Sequence, residues 1–252
     1  MTFFLFAAAF VGGALNAVAG GGSFIGLPAL IFAGVPAVSA NATNTLALWP
    51  ASISSAWAYR RELSAARGWV SSLGVVSLAG GVLGGLLLVG TSDAAFLRLL
   101  PWLLLVAAAT FSFGSTLQRV FTQQPARATE HPAGAARRLP VLFCQFLIAI
   151  YGGYFGGGMG IMMLAALTIA GMTDIHEMNA VKSVLAVAIN GVALAEFVAL
   201  GTIAWAPGLI MMAGGIAGGY AGAAAARRVD PRVVRGLVTV VAWSMTLYFF
   251  LR

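Results

Sequence analysis

Charged side chains are scarce in this sequence, and their scarcity excludes a soluble protein. Asp, Glu, Lys and Arg make up 8% of the 252 residues, whereas 60% are hydrophobic and the mean hydropathy is +0.95. Because soluble domains carry about 25% charged residues, a soluble fold of this size lacks the polar surface to enclose so many apolar side chains. Apolar runs long enough to cross about 30 Å of hydrocarbon recur along the whole chain, which indicates an integral membrane protein.

Residues that bind metals or form disulfides are also nearly absent. The chain has one cysteine, Cys144, and two histidines, His131 and His176. A single cysteine excludes a disulfide framework within the chain, and with so few histidines we expect no metal site. The sequence lacks a nucleophile elbow and a Walker-type loop. We therefore expect neither an enzyme nor a bound cofactor.

The basic residues lie where a helical membrane protein carries them. The net charge is +7, but the arginines occupy short loops between apolar runs, which is the positive-inside pattern. We therefore expect no nucleic-acid partner, and place the chain in the lipid bilayer of the bacterial inner membrane. The period-2 alternation of a transmembrane barrel is absent, so the spanning segments are predicted to be helices, which satisfy their own backbone amides.

Four sequence landmarks occur twice, in the same order, which predicts two copies of one unit. The copies of each landmark are 134 to 138 residues apart. Gly20, Gly21 and Gly22 match Gly156, Gly157 and Gly158; Asn41 and Asn44 match Asn179 and Lys182; the glycine run at 80–85 matches that at 214–219; Asp93 and Arg98 match Asp230 and Arg235. The predicted units are residues 1–117 and 139–252, joined by a basic cytoplasmic linker at 118–138.

Each unit is predicted to contain a glycine-broken element followed by three transmembrane helices. The predicted bounds are 3–36, 38–59, 69–90 and 94–117 in the first unit, and 139–172, 175–200, 204–226 and 231–251 in the second. If each broken element crosses the membrane once, the arginines divide 8 to 5 between the two sides; if it re-enters and returns, they divide 11 to 2. Because loop Lys and Arg mark the cytoplasm, the sequence predicts inverted repeats with both termini outside.

The glycine triplets are expected to break their helices, because a glycine inside a helix costs about 1 kcal/mol relative to alanine. Close helix packing is one interpretation, since small residues let backbones approach. The other is a re-entrant break that lines a cavity, where free N–H groups and the positive end of a helix dipole bind an anion. Ser23, directly after the first triplet, is predicted to cap the helix that follows.

Polar residues follow each break at i, i+3 spacing, which places them on one helix face. Asn41 with Asn44, and Asn179 with Lys182, are either helix caps or substrate ligands. Lys182 lies well inside an apolar stretch, where a charge costs roughly 2.5–3.5 kcal/mol and usually faces a cavity or partner. Snorkelling toward the cytoplasmic edge is the alternative.

Two further polar residues lie on the same predicted helix. Asn190 either belongs to the binding site or bonds a neighbouring helix. Glu196, near the far end, is either a carboxylate at the outer interface or the carrier of a coupling proton. The glycine runs at 80–85 and 214–219 have small-xxx-small spacing, which predicts close helix packing.

These residues resemble the TauE/SafE family of bacterial and archaeal membrane proteins over essentially the whole chain. The resemblance is carried by Asn16 to Ser23 with Pro28, by Ala40 to Asn44, by Gly152 to Gly160, and by Asn179 to Lys182 with Asn190. It implies a sulfite-exporter-like permease, in a family associated with sulfite, sulfoacetate and other organosulfur anions. Leu164 stands where a second copy of Pro28 is expected, so the second break is predicted to bend differently.

The sequence therefore predicts an all-α polytopic membrane protein that exports a small anion, such as sulfite, sulfoacetate or another organosulfonate. The chain contains no nucleotide-binding motif, so we expect a secondary transporter. The anion is expected to bind at the pseudo-two-fold axis, near the glycine breaks. The predicted ligands are Gly20, Gly21, Gly22, Ser23, Asn41, Asn44, Gly156, Gly157, Gly158, Asn179, Lys182 and Asn190. An anion channel and a membrane-embedded accessory or assembly protein are the alternatives, and a homodimer is compatible with either interpretation.

Overall fold

The computed structural model describes residues 1–18, 21–64, 66–123, 135–225 and 231–251. Within these ranges the chain forms ten α-helices, with a short 3-10 helix at Glu62–Ser64. The helices are α1 Thr2–Val18, α2 Ser23–Phe32, α3 Ala37–Ala58, α4 Arg67–Val89, α5 Asp93–Gln123, α6 Ala135–Tyr154, α7 Met159–Ile169, α8 Ile175–Ala199, α9 Trp205–Ala225 and α10 Pro231–Leu251.

Three of the described helical segments are long and apolar enough to cross a membrane, namely α4, α8 and the Asp93–Gly114 part of α5. Shorter apolar helices accompany them, among them α2 and α7. Large apolar side chains such as Leu86, Leu147 and Leu209 are exposed on the outside of the bundle. Lipid can cover such side chains, and each helix satisfies its own backbone. The predicted all-α polytopic membrane protein is confirmed.

The helix bounds follow the prediction closely except at the linker. Each predicted broken element is a pair of helices, α1 with α2 and α6 with α7. The helix α5 continues to Gln123 and α6 begins at Ala135. Both helices therefore extend into the predicted linker at 118–138, and residues 124–134 lie outside the described part of the chain.

The predicted helix breaks are present where the glycine triplets fall. Gly21 has a φ of +90°, and Gly156 and Gly158 have φ values of +80° and +78°. This left-handed conformation strains residues that carry a Cβ atom, whereas glycine adopts it freely. The backbone can therefore change direction within two or three residues at each break.

After each break the chain turns back along the helix that it has just left. A Cβ atom on Gly12, inside α1, would contact the carbonyl of Gly22, and one on Gly152, inside α6, would contact the Met159 sulfur. The beginning of α2 thus lies beside the middle of α1, and the beginning of α7 lies beside α6. Both breaks therefore fold the chain back, but their backbones differ: the N-cap of α2, Gly22, has a φ of −55°, whereas the N-cap of α7, Gly158, has a φ of +78°.

The halves of the chain interlock through glycine-mediated packing. The helix α1 of the first half packs most extensively against α9 of the second. Backbone atoms of Phe6 lie directly against Gly214, and those of Ala14 lie against Gly222. Because residue numbers rise together along both helices, α1 and α9 run in the same direction.

The other interlocked pair repeats this arrangement with the halves exchanged. The helix α6 packs most extensively against α4. Backbone atoms of Phe146 lie against Gly80, and those of Ile150 lie against Gly84, so these helices also run in the same direction. The close-packing role predicted for the two glycine runs is confirmed.

The helices α3 and α8 lie in contact between the two interlocked pairs. The Nε1 atom of Trp49 on α3 donates a hydrogen bond to the carbonyl of Val187 on α8, at 3.2 Å. On their other sides, α3 packs against α9, where Gly208 contacts Thr43, and α8 packs against α4. The polar faces of α3 and α8 are thereby brought beside the glycine breaks.

Candidate functional site

A central cavity of about 530 Å³ lies between both glycine breaks and the polar faces of α3 and α8. Its lining extends to Tyr59 and Ile175, at the end of α3 and the beginning of α8, and it opens there because the lining residues Ser55 and Ile175 are exposed. The lining residues are Asn16, Gly21, Ser23, Asn44, Thr45, Leu48, Ser52, Ser55, Tyr59, Phe111, Phe155, Gly156, Gly157, Gly158, Met159, Gly160, Ile161, Leu164, Ile175, Asn179, Lys182, Ser183, Ala186 and Asn190. Both halves of the chain therefore contribute to one site.

Most of the residues predicted from the sequence meet in this cavity. Those that line it are Gly21, Ser23, Asn44, Gly156, Gly157, Gly158, Asn179, Lys182 and Asn190. Gly22 and Asn41 are buried and do not line it. Gly20 lies outside the described residues.

The beginning of α2 presents free backbone donors beside the cavity. Its N-cap is Gly22, which makes no side-chain cap, and Ser23 is the first helical residue. The prediction that Ser23 caps this helix is therefore wrong, because the turn at Gly21 places the serine one position inside the helix. In the described structure the N–H groups of Gly22 and Ser23 make no hydrogen bond, whereas the Phe24 N–H bonds the Gly21 carbonyl at 3.0 Å.

The beginning of α7 presents a second set of free donors. Its N-cap is Gly158, in the left-handed conformation and again without a side-chain cap. Within the described part of the chain, the N–H groups of Gly157, Gly158 and Gly160 make no hydrogen bond. All three residues line the cavity. The loop is anchored from behind, because the hydroxyl of Tyr151 donates to the Gly157 carbonyl at 2.7 Å.

Lys182 provides the cationic side chain of the cavity wall. Its Nζ atom donates to the Oδ1 atom of Asn179 at 2.8 Å, and the Asn179 amide donates to the Ile175 carbonyl at 2.8 Å. The lysine methylenes pass beside Gly160, at the beginning of α7. No Asp or Glu is among the residues that line the cavity. The positive charge therefore has no carboxylate beside it in the wall.

Asn44, the repeat counterpart of Lys182, faces the same cavity from α3. Its side chain is 2% exposed, and its Oδ1 atom lies against Gly26 of α2 without a hydrogen-bond partner among the described residues. The amide nitrogen is therefore the end of this side chain that is turned away from α2. Capping does not explain Asn44, because α3 begins at Ala37.

Apolar side chains line the cavity beside the glycine breaks. Phe111 and Phe155 line it together with Leu164. The Phe111 ring packs edge-to-face on Phe24 at 5.6 Å between centroids, and Phe155 does the same on Tyr151 at 5.9 Å. Such aromatic pairs hold the wall in place. An occupant of the cavity thus meets aromatic rings directly beside the backbone of both breaks, since Phe111 lies against Gly21 and Phe155 against Gly157.

Several lining residues were not predicted as ligands, although the sequence contains a signal for some of them. Ser52, Ser55 and Tyr59 follow Asn44 and Leu48 at intervals of three and four residues, so they share one face of α3. All five line the cavity. Asn16, from α1, also lines it, and its position was noted only through the family resemblance.

The beginning of α8 is fixed by Asp174, outside the cavity wall. Its carboxylate accepts hydrogen bonds from the N–H groups of His176 at 2.7 Å and Glu177 at 3.1 Å. The hydrogen bonds from Glu177 and His176 lower the pKa of this exposed carboxyl. Asp174 is thus the N-cap of α8, and Asn179, which lies one turn inside the helix, does not cap it.

Known proteins similar to this chain carry transporter names. The chain is 30% identical over 247 residues to the "Probable membrane transporter protein" of Haemophilus influenzae, covering 96% of this chain and 91% of that one. It is 30% identical over 253 residues to the "Probable membrane transporter protein ORF9" of a Sinorhizobium species, covering 97% and 90%. It is 26% identical over 245 residues to the "Probable membrane transporter protein YfcA" of Escherichia coli, covering 96% and 87%. No solved structure matches it significantly.

The chain is a polytopic helical bundle with a polar central cavity, and it is related to these proteins over almost its whole length. It is therefore a membrane transporter. The family model of the sulfite exporters TauE/SafE matches residues 5–249, and the chain belongs to this family. A transporter handles a small-molecule substrate and lies in a lipid bilayer. The resemblance stated from the glycine and asparagine motifs is confirmed.

Proposed function

We propose that this protein is a secondary transporter of a small anion, which binds in the central cavity between the two glycine breaks. The observation that carries the proposal is the convergence of two helix beginnings, those of α2 and α7, on one cavity that Lys182 also lines. These donors lie beside a space with no carboxylate among its lining residues. An anion is the occupant that satisfies them.

The electrostatics of the two helix beginnings support this assignment. Each helix places about half a positive charge at its first turn, where N–H groups lack partners inside the helix. Unsatisfied donors of this kind bind anions, including oxyanions, without a charged side chain. Helix breaks directed at a substrate near the membrane centre are a recurring feature of secondary transporters. Lys182 adds a full charge, which strengthens the field where water is excluded.

We infer further that the two halves are inverted relative to each other. The helix α1 runs parallel to α9, and α6 runs parallel to α4, as the glycine contacts of each pair indicate. The short connection between α3 and α4 makes these consecutive helices antiparallel, while α3 lies parallel to α9 through the contacts of Gly208 with Thr43 and of Gly215 with Ala47. If these directions are combined, α1 and α6, which are repeat counterparts, run in opposite directions.

The arginines support a cytoplasmic opening of the cavity. Tyr59, at the opening, is followed directly by Arg60 and Arg61, and Arg67 lies at the beginning of α4. Because loop arginines mark the cytoplasmic side, the proposed orientation places the opening inside and both termini outside the inner membrane. Reporter fusions at Ala128 and at both ends test this orientation. A cytoplasmic C-terminus combined with a cytoplasmic fusion at Ala128 contradicts it.

The family name supports a sulfur oxyanion as the substrate, and export as the direction. Sulfite and the organosulfonate sulfoacetate both carry negatively charged oxygens. Such oxygens accept hydrogen bonds from backbone N–H groups and from an ammonium group. We propose one of these anions, held by the free N–H groups of Ser23, Gly157 and Gly160, by Lys182 and by the Asn44 amide. The apolar side chains around Phe111 can contact the organic group of such an anion.

Flux into proteoliposomes tests the proposed function. Purified protein is reconstituted, and uptake of radiolabelled sulfite and sulfoacetate is measured against protein-free liposomes. We expect uptake that saturates with substrate concentration and that the unlabelled anion inhibits. Uptake that rises linearly with concentration, together with single-channel currents, identifies an anion channel. The absence of both flux and substrate binding refutes the proposal.

A further inference from the structure

A second cavity, of about 330 Å³, lies on the outside of the bundle between α5, α6 and α7. Its lining includes Phe113 on α5 and Ile169 at the end of α7, which are 60% and 63% exposed. Pro140, near the beginning of α6, lines it and is also exposed. Because the outer surface of a transmembrane bundle faces hydrocarbon, this cavity is a groove open to the lipid, and we call it the lateral groove.

The lateral groove is apolar along its whole lining. None of its lining residues is charged, and the one hydroxyl among them, that of Thr110, already donates to the Val106 carbonyl at 2.7 Å. Small residues make room in it, namely Gly114, Ala165 and Ala166. An occupant therefore gains free energy only by burying apolar surface, and a hydrocarbon chain has this property.

The corresponding place in the first half of the chain is filled. In the repeat, α2 corresponds to α7 and α10 corresponds to α5. Leu30, the counterpart of Ala166, is 0% exposed. Phe32, the counterpart of Thr168, stacks on Phe249 of α10 at 6.4 Å between ring centroids. The second half carries smaller side chains at both positions, which accounts for the open space beside Ala166. The lateral groove is thus a property of this half's own sequence and does not follow from the repeat.

The lateral groove lies toward the side of the membrane where α5 ends and α6 begins. Phe113 belongs to the second half of α5, Pro140 to the first two turns of α6, and Ile169 is the last residue of α7. The sequence at 118–138, which joins the two halves of the chain, carries Arg119, Arg127, Arg137 and Arg138. Because loop arginines mark the cytoplasm, the proposed orientation places the groove in the cytoplasmic leaflet.

Two of these arginines stand in the first turn of α6. Arg137 precedes Pro140 and Val141 by three and four residues, so these positions share one face of the helix. Pro140 and Val141 both line the lateral groove. Basic residues at the cytoplasmic surface attract anionic lipid headgroups. A basic position at the membrane surface above an apolar groove matches a phospholipid with an anionic headgroup.

Ile161 is shared by the lateral groove and the central cavity, because it lines both. A Cβ atom on Gly114 of α5 would meet the Ile161 side chain, so the two helices are in close contact there. Ile161 lies in the first turn of α7, and its N–H bonds the Gly158 carbonyl at 3.1 Å. Gly160, the preceding residue, presents one of the free donors to the central cavity. An occupant of the groove therefore contacts a side chain that borders the anion site.

We infer that the lateral groove binds one phospholipid of the cytoplasmic leaflet, with an acyl chain in the groove and an anionic headgroup beside the beginning of α6. The chain packs against Ile161 and holds the first turn of α7 in place at the central cavity. The lipid site does not depend on the proposed transport, whereas its effect on anion binding rests on that proposed function.

Cys144 is a native reporter for the lipid, because it is the one cysteine of the chain, is exposed and lines the lateral groove. The full-length protein in mild detergent is alkylated with N-ethylmaleimide, alone or with phosphatidylglycerol, phosphatidylethanolamine or glycerol 3-phosphate. Phosphatidylglycerol is expected to slow the reaction about fivefold or more relative to phosphatidylethanolamine, as the attraction of a single arginine predicts. Glycerol 3-phosphate, which has the headgroup charge without a chain, is expected to have no effect.

Each other result of this measurement overturns part of the inference. Equal protection by both phospholipids means non-specific lipid contact and overturns the anionic site. Protection by glycerol 3-phosphate overturns the acyl chain as the occupant, and no protection by any of the three overturns the lipid site. The control is Val240→Cys in a Cys144→Ser background, because Val240 on α10 is 63% exposed outside the groove. Its alkylation is expected to show no preference between the two phospholipids.

Variants that fill the groove or remove the charge locate the two ends of the lipid, with native mass spectrometry as the measurement of retained phospholipid. Ala165→Phe is expected to lose the retained phosphatidylglycerol, while Val240→Phe, which adds the same side chain elsewhere on the lipid-facing surface, is expected to keep it. The double variant Arg137→Gln with Arg138→Gln is expected to retain both phospholipids equally. Arg98→Gln, at an exposed position of α5, is its control. Unchanged retention in folded Ala165→Phe overturns the groove as the site of the chain.

The contact with Ile161 is tested by anion binding at defined lipid composition. The affinity of the delipidated protein for sulfite or sulfoacetate is expected to rise about threefold or more when phosphatidylglycerol is added, and Ile161→Ala is expected to remove this response. If phosphatidylglycerol binds and the wild-type affinity does not change, the effect through Ile161 is overturned. If neither anion binds at any lipid composition, the proposed function fails, while Cys144 protection and lipid retention still decide the lipid site.

Discussion

The hydroxyl of Tyr151 lies 2.7 Å from the carbonyl oxygen of Gly157, and this hydrogen bond ties α6 to the loop that begins α7. Because the carbonyl is held at the back of the loop, the N–H groups of Gly158 and Gly160 keep their place at the cavity. The position of these donors thus depends on a tyrosine that is not itself among the lining residues.

Replacement of Tyr151 by phenylalanine is therefore predicted to weaken anion binding without unfolding the protein. Loss of one such hydrogen bond costs about 1 kcal/mol, which corresponds to roughly fivefold in affinity. Isothermal titration of the solubilised variant measures the change. Tyr220→Phe, on the exposed face of α9, is the control and is expected to match wild type. Equal affinities in Tyr151→Phe and wild type contradict the positioning role.

Lys182 is predicted to be the one charged ligand of the anion. Lys182→Met is expected to fold, because it removes a charge that is costly inside a membrane. Its anion affinity is expected to fall by about 1–3 kcal/mol, which corresponds to roughly 5- to 160-fold. Lys182→Arg keeps the charge and is expected to retain most of the affinity, while Asn44→Ala is expected to show a smaller loss than Lys182→Met. Unchanged binding in Lys182→Met shows instead that the lysine only snorkels.

The glycine breaks are predicted to tolerate no bulky side chain. A Cβ atom on Gly21 would meet Val238 and Phe111, at a φ of +90°, and one on Gly157 would meet the Phe155 ring. Gly21→Leu and Gly157→Leu are therefore expected to abolish anion flux while membrane-inserted protein is still recovered. Gly236→Leu, where no atom lies within 4 Å of the added Cβ, is the control and is expected to transport normally. Full activity in both break variants excludes a role for the breaks in transport.

Asp174 is predicted to make stability depend on pH through its cap on α8. Hydrogen bonds lower the pKa of this carboxyl in the folded state, so its contribution is present above the unfolded pKa and is lost as the pH falls through the folded pKa. Asp174→Asn keeps a capping side chain but cannot titrate. The melting temperature of wild type relative to Asp174→Asn is expected to decrease as the solution is acidified.

The control for this measurement is Glu177→Gln. It removes a nearby carboxylate but keeps the backbone N–H of residue 177, which donates a hydrogen bond to Asp174. Its melting temperature relative to wild type is expected to change less with pH than that of Asp174→Asn. If the two variants respond identically to acidification, the pH dependence arises from general surface charge and not from the cap.

The sequence predicted the helices and much of the site because the relevant signals are local. A glycine triplet disfavours a helix whatever surrounds it, and Asn44 and Lys182 fall on polar helix faces that can be found from spacing alone. The Ser23 cap was predicted wrongly because the position of the cap is set by where the chain turns, and the turn at Gly21 makes Gly22 the N-cap. A shift of one residue decides whether a serine is a cap or a first-turn residue.

The difference between Asn41 and Asn179 was beyond prediction for another reason. Both asparagines stand in matched positions of the repeat, so any argument from spacing treats them alike. Their burial differs because the bundle is open at one end and closed at the other. That difference belongs to the conformation of the whole molecule, and no local pattern encodes it.

The glycine-mediated packing of α1 with α9 and of α4 with α6 determines which parts of the sequence depend on each other. The helix α1 is held by α9 and α6 is held by α4, so each tightly packed pair contains one helix from each half of the sequence. Neither half of the sequence is therefore a packing unit on its own. If one half were expressed alone, its glycine-lined helix faces would lack the helices that cover them in the whole chain.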